Sequence, residues 1–143
     1  MKAEHILRRK GTKTITIGPD ATLKEASRVL SKHDIGALVV TDDDGQILGV
    51  LSERDIVRQI SERGPVALRL SVEKTIDDEP ATCTPDDKVK DLMEFVTRER
   101  VRHLPVLKDG ALNGVISVGD LLKSRMEEME TEKRVLRDRL MGS

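Results

Sequence analysis

Apolar and polar positions along the chain change period several times, and each change marks an element. "TITI" (14–17) alternates like a half-buried strand. Asp20 reads as an N-cap for a helix whose Leu23, Ala26, Val29 and Leu30 recur at helical spacing. "GALVV" (36–40) predicts a buried strand, Asp44-Gly45 a hairpin turn, and "QILGVLS" (46–52) the strand that returns. Ser52 then caps a helix carrying Ile56, Val57 and Ile60, which ends near Gly64-Pro65.

The chain repeats this order. "ATCT" (81–84) reads as a strand, followed by a helix with Val89, Leu92, Met93 and Val96. "HLPVL", the turn Asp109-Gly110, "ALNGVIS" and a helix from Val118 complete the second copy. Pro19-Asp20 recurs as Pro85-Asp86, 66 residues on, and Leu38-Val39-Val40 falls on Leu104-Pro105-Val106 at the same offset. The register slips by one residue only in the polar turn, after which "GVLSERD" (49–55) matches "GVISVGD" (114–120). A slip confined to a turn marks a duplicated unit. Each copy, about 50 residues, is too small to be comfortably stable alone. The expected fold is therefore α/β of the α+β kind: two β-α-β-β-α repeats packed with pseudo-twofold symmetry, followed by a long C-terminal helix. The expected divisions are residues 5–63, a connector 64–79 with a helical turn around Val72–Ile76, residues 80–125, and a helical extension 126–143. Leu122, Met126, Met129, Leu136 and Leu140 form a sparse apolar line on that last helix, suited to lying on a partner surface.

Composition narrows the function classes. With 37% hydrophobic and 36% charged residues and a net charge of −1, the chain has no overall field for nucleic acid or an anionic membrane. Its apolar runs are too short to span a bilayer, and "MKAEHILRRKGTK" carries no apolar leader, so a cytoplasmic protein is expected. Cys83 is the single cysteine, and His5, His33 and His103 offer no metal spacing. Phe95 is the single aromatic residue, so a planar ligand is expected to lie between aliphatic side chains.

The duplicated Ser-x-x-Asp has two readings. In the first, Ser52 and Ser117 cap their helices, and Asp55 and Asp120 complement the helix dipole. In the second, the free N–H groups at a helix start favour a phosphate, and the Asp accepts from two vicinal hydroxyls such as those of a ribose. Recurrence at equivalent places raises the second reading above the first.

Two such units ending in "GVLSERD" and "GVISVGD", with "IGALVV" and "VRHLPV" on the middle strands, resemble a tandem pair of cystathionine-β-synthase (CBS) domains, a Bateman module. The resemblance covers roughly residues 5–125 and is similar to the small stand-alone CBS-pair proteins of bacteria. It implies two clefts that take adenosyl ligands: AMP, ADP, ATP, and in some members NAD(H) or S-adenosylmethionine. It implies further that Asp55 and Asp120 hold ribose hydroxyls and that Ser52 and Ser117 face phosphate. Arg102 and His103 occupy a place where members often carry basic phosphate ligands, and Arg54 is a further candidate. The first unit has Gly36-Ala37 at the place of Arg102-His103, so unequal sites are expected. Ile15, Ile17, Ala37, Ala81 and Cys83 are candidate walls for adenine, each equally readable as ordinary core. Cys83 has no paired base to make it a nucleophile.

The expected function is a non-catalytic regulatory module that binds an adenine nucleotide, with no required cofactor or metal, and signals occupancy to an unidentified protein. The alternative is a constitutive interaction protein with weak or empty sites. An enzyme ranks third because no nucleophile, base or metal set stands out, and "TDDDG" and "DDEP" read as turns. Nucleic-acid binding ranks lower still, since Arg8-Arg9-Lys10 is a small cluster without aromatic residues to stack bases. A homodimer is expected, because Ile56, Val57, Ile60, Leu121, Leu122 and the C-terminal apolar line exceed what one chain can cover.

Overall fold

Duplication is visible in the backbone. The structure, a computed structural model, describes residues 1–76 and 79–142. Asp77 and Asp78 of the turn expected at "DDEP", and Ser143, lie outside the described residues. The first unit contains β1 (Thr16–Ile17), α2 (Leu23–His33), β2 (Ala37–Thr41), β3 (Ile47–Ser52) and α3 (Glu53–Arg63), preceded by α1 (Ala3–Lys10). Two 3-10 segments, Gly64–Arg69 and Val72–Lys74, follow. The second unit contains α4 (Val89–Glu99), β4 (His103–Lys108), β5 (Ala111–Ser117) and the 23-residue α5 (Val118–Leu140).

In the first sheet β1 is parallel to β2, and β2 is antiparallel to β3. In the second, β4 pairs antiparallel with β5. Both hairpins turn where Asp-Gly requires it, with Gly45 and Gly110 at φ 80°. The first strands are shorter than the sequence pattern suggests. "TITI" contributes Thr16 and Ile17 alone, and "ATCT" contributes a single parallel bridge, Cys83 to Val106. Pro80 and Pro85 flank that bridge, and Thr84 N–H donates to Asp87 Oδ2 at 2.8 Å instead of to a ladder. The start of α2 also differs. Thr22, not Asp20, caps it, accepting from Glu25 N at 3.1 Å. Residues 19–21 cannot open the helix because the Pro19 and Ala21 carbonyls accept from Glu73 and Val72 of the connector.

Those last bonds belong to a clasp that occurs twice. In the first unit Leu23 N donates to Leu70 O, Val72 N to Ala21 O, and Glu73 N to Pro19 O. In the second, Val89 N donates to Met1 O, Ala3 N to Asp87 O, and Glu4 N to Pro85 O. The chain ahead of each unit is thus bound to the other unit. Val72 joins the core of Leu23, Ala26, Leu30, Leu38, Val40, Leu51 and Ile56. Ala3, Ile6 and Leu7 of α1 join the core of Cys83, Val89, Leu92, Val96, Leu104, Val106, Ile116 and Leu121. Ile56 and Leu121, expected among the residues left for a partner to cover, are thus buried within their own chain. Crossing over in this way stitches two small cores into one molecule. The expected divide at residue 126 falls inside the unbroken α5.

Candidate functional site

A cleft of about 980 Å³ opens between the units. The first unit supplies Val50, Ser52, Arg54, Asp55 and Arg58 from the junction of β3 and α3. The connector supplies Thr75, Ile76 and Glu79, and the start of the second unit Pro80 and Ala81. The second unit further supplies residues 95–97 and 99–103, from the end of α4 to the start of β4, together with Val118. Six of the candidate site residues named from the sequence therefore line one cavity: Ser52, Arg54, Asp55, Ala81, Arg102 and His103.

The capping reading of Ser-x-x-Asp is realised in both units. Asp55 N donates to Ser52 Oγ at 3.2 Å, and Ser52 N donates to Asp55 Oδ2 at 2.9 Å. Ser117 and Asp120 repeat this at 3.1 and 2.9 Å. A carboxylate has two oxygens, and the cap occupies one. Asp55 Oδ1 is turned to Arg58, 3.6 Å from Nη1, on the cleft wall.

Several lining residues carried no signal in the motif. Arg58 lies one turn beyond Asp55, and that spacing was readable as a basic neighbour of the motif. Arg100 ends α4 in the left-handed region at φ 56°. Asp34, its counterpart 66 residues earlier, ends α2 in the same way at φ 51°, so this backbone strain belongs to the helix end and not to the cleft. Phe95 corrects the expectation of purely aliphatic walls: it lines the cleft, with the Arg98 guanidinium 5.8 Å from its ring centroid. Among the described lining residues, Arg54, Arg58, Arg100 and Arg102 outnumber the carboxylates Asp55, Glu79 and Glu99. The wall accordingly favours an anion.

The second copy of the motif sits differently. Lys10, the last residue of α1, places Nζ 2.6 Å from Asp120 Oδ2, the oxygen that also caps α5. Asp120 borders a much smaller hollow of about 170 Å³ with Met1, His5, Ile6, Arg9, Lys10, Lys123, Ser124 and Glu127. Ser117, Ile15, Ile17, Ala37 and Cys83 line neither hollow. Ile15 and Ile17 pack on the first core, Ala37 opens β2 opposite Ser52, and Cys83 is buried in the second core. Burial, with Asp87 adding to it, pushes the Cys83 thiol up to about 12, which leaves it a thiol and no nucleophile.

His103 stands between the two motif copies. It lines the open cleft beside Arg102, and its ring faces Gly36 and Glu53 of the first unit. Burial lowers its pKa, as do Lys10 and Arg102, while Asp120 and Glu53 pull the other way. For Asp120 burial acts to raise the pKa, but the hydrogen bonds from Lys10 and Ser117 outweigh it and hold the carboxyl below its ordinary value. Among the described residues there is no cluster of His, Cys, Asp and Glu that could hold a metal. Nor is any helix long and apolar enough to cross a membrane.

Comparison with known proteins gives a consistent result. The family model described as CBS domain matches residues 4–62 and 72–127. A CBS-domain containing protein of Agrobacterium tumefaciens is 40% identical in sequence, superposes with a TM-score of 0.84, and covers 87% of this chain and 99% of its own. CBSX3, a mitochondrial CBS domain-containing protein of Arabidopsis thaliana, is 32% identical over 127 residues, 86% of this chain and 62% of the relative. The CBS domain pair of protein MJ0100 shares the fold at 19% identity and a TM-score of 0.78, covering 90% of this chain and 98% of its own. It was solved in complex with 5'-methylthioadenosine and S-adenosyl-L-methionine.

Proposed function

This chain belongs to the CBS-domain family, with both of its units matched, and from that premise we propose a non-catalytic regulatory module that binds an adenine nucleotide (AMP, ADP, ATP or NAD(H)) and passes its occupancy to a partner protein. The observation that carries the reading is the open cleft, where a capped helix start, a carboxylate and four arginines converge. In this proposal Asp55 takes the ribose hydroxyls, Ser52 and the first turn of α3 face phosphate, and Arg54, Arg58, Arg100 and Arg102 neutralise its charge. Ala81, Ile76 and Val101 supply apolar wall for the base, and Phe95 adds a ring. A cationic sulfonium ligand fits such a wall less well than a phosphate. The module acts as a cytoplasmic homodimer, burying Val57, Ile60 and Leu122, which one chain leaves exposed.

Thermal shift of the purified protein with AMP, ADP, ATP, NAD, NADH and S-adenosylmethionine tests the reading. A ligand at a hundredfold over Kd that binds only the native state stabilises it by about 2.7 kcal/mol. GTP should give a smaller shift. No shift with any adenosyl compound at millimolar concentration would leave the alternative, a constitutive interaction protein. One observation already favours that alternative at the second motif: Lys10 occupies the Asp120 carboxylate.

A further inference from the structure

The exposed face of α5 carries a pattern that its own chain does not use. Leu122, Met126, Met129, Lys133, Leu136 and Leu140 follow one another at intervals of 4, 3, 4, 3 and 4 residues. That is the a/d repeat of a coiled coil, with Met126, Lys133 and Leu140 at a and Leu122, Met129 and Leu136 at d. The five apolar members are between 49% and 78% exposed. The opposite face is the one its own chain covers. Leu121 and Ser124 are buried there, Glu127 pairs with Arg9 of α1, and Glu128 meets the N-terminal amine. An amphipathic helix with one face docked and a regular apolar seam on the other lacks a second helix.

Charges beside the seam identify that helix. In a parallel in-register pair, each g position faces the e position five residues later on the other chain. Arg125 then meets the partner's Glu130, and Glu132 meets the partner's Arg137, both opposite in sign. Within one chain Arg125 already reaches Glu128 and Glu132, at 3.2 and 3.7 Å, so it is shared, whereas the Glu132–Arg137 contact is new. An antiparallel pair of the same overlap would oppose Lys123 to Arg137, Arg125 to Arg139, Glu130 to itself and Glu132 to itself. Sliding the antiparallel pair by one heptad restores opposite signs but leaves two apolar seam residues of each chain uncovered. Lys133 argues the same way: in register the two lysines share one layer, with their stems packed and ammonium groups reaching out to Glu132, whereas a slip buries them against apolar residues.

We infer that α5 from Leu122 to Leu140 forms a parallel two-stranded coiled coil with a second copy of this chain. The inference rests on the homodimer proposed above for its partner and adds the direction and register. It places both C-termini on the same side of the dimer.

Cysteine cross-linking in the full-length protein tests it, because the buried Cys83 thiol stays silent in the folded state. Under mild oxidation at micromolar concentration, Met129→Cys and Leu136→Cys should each cross-link to themselves, and Arg134→Cys, off the seam, should not. Self-pairing at a d position occurs in the parallel arrangement alone. Cross-linking of Leu136→Cys only when mixed with Met126→Cys or Lys133→Cys protein would show an antiparallel pair, overturning this inference while sparing the homodimer. Equal cross-linking at Arg134→Cys would overturn it as well, and a full-length monomer in sedimentation would remove both readings. As a second measurement, Glu132→Arg and Arg137→Glu should each raise the dimer Kd by roughly tenfold, and the double reversal should raise it by less than the product of the two, with recovery only in part because Arg125 and Lys133 also face position 132. Strictly multiplicative effects of the two reversals, with no coupling between the positions, would exclude the proposed register.

Discussion

Lys10 Nζ lies 2.6 Å from Asp120 Oδ2, joining the end of α1 to the second copy of the duplicated motif. The first copy has Asp55 on the wall of an open cleft, with Arg58 3.6 Å away. Two near-identical motifs thus sit in unequal surroundings, one carboxylate on an open cleft and the other paired with a lysine that belongs to neither motif. Replacing it with Lys10→Ala should cost less than about 1 kcal/mol of stability, as expected for a partly exposed pair. The same change should raise the nucleotide stoichiometry measured by titration calorimetry from one per chain towards two. Unchanged stoichiometry would mean that α1 closes the second site through its backbone and not through this contact.

The capping box adds a stability effect to any binding effect of Asp55. Asp55→Ala should lower the ligand-free stability by about 0.5–2 kcal/mol through the lost bond to Ser52 N. It should separately weaken nucleotide binding by about 1.5–3 kcal/mol, the loss of hydrogen bonds to a charged acceptor. Chemical denaturation without ligand and titration with ligand separate the two. Lower stability with unchanged affinity would reduce the residue to a cap.

Phosphate reading belongs to the arginines in the proposed site. Arg102→Ala should weaken ATP and ADP binding by about 1.5–3 kcal/mol and leave adenosine nearly unaffected. Equal losses for all three ligands would mean that the guanidinium does not meet phosphate.

Cys83 should resist alkylation in the folded protein. The residue is 3% exposed and burial pushes its thiol up to about 12, so iodoacetamide at pH 8 should modify it only as fast as the chain opens. Added denaturant should accelerate the reaction in step with unfolding. Rapid labelling of native protein would contradict a core position.

Acid should weaken the fold in two stages. The His103 pKa is lower in the folded protein than unfolded, so the unfolded chain binds the extra proton first. The stability contributed by neutral His103 is therefore present above its ordinary pKa near 6.5 and is lost as pH falls from there to the folded value. Asp120, also lowered, contributes above its ordinary 3.8 and loses that contribution as pH falls through its folded value. His103→Gln should flatten the upper stage of a stability-against-pH curve, and Lys10→Ala should diminish the lower one. An unchanged upper stage in His103→Gln would assign it to another group.

Local features were legible in the sequence because local forces set them. The duplication, both Asp-Gly hairpin turns, and the helix starts at Ser52 and Ser117 depend on residues within a few positions of one another. The short apolar runs placed β2 to β5 for the same reason. What the sequence could not reveal is which unit each linking segment joins. The eight residues of α1 are too few to be a stable helix alone, and their form is decided by the burial of Ala3, Ile6 and Leu7 in the second core. Val72 and its clasp on the first unit, the entry of Phe95 and Arg100 into the cleft, and the capture of Asp120 by Lys10 are of the same kind. Each joins residues far apart in the chain, where periodicity is silent and packing between the two halves alone decides.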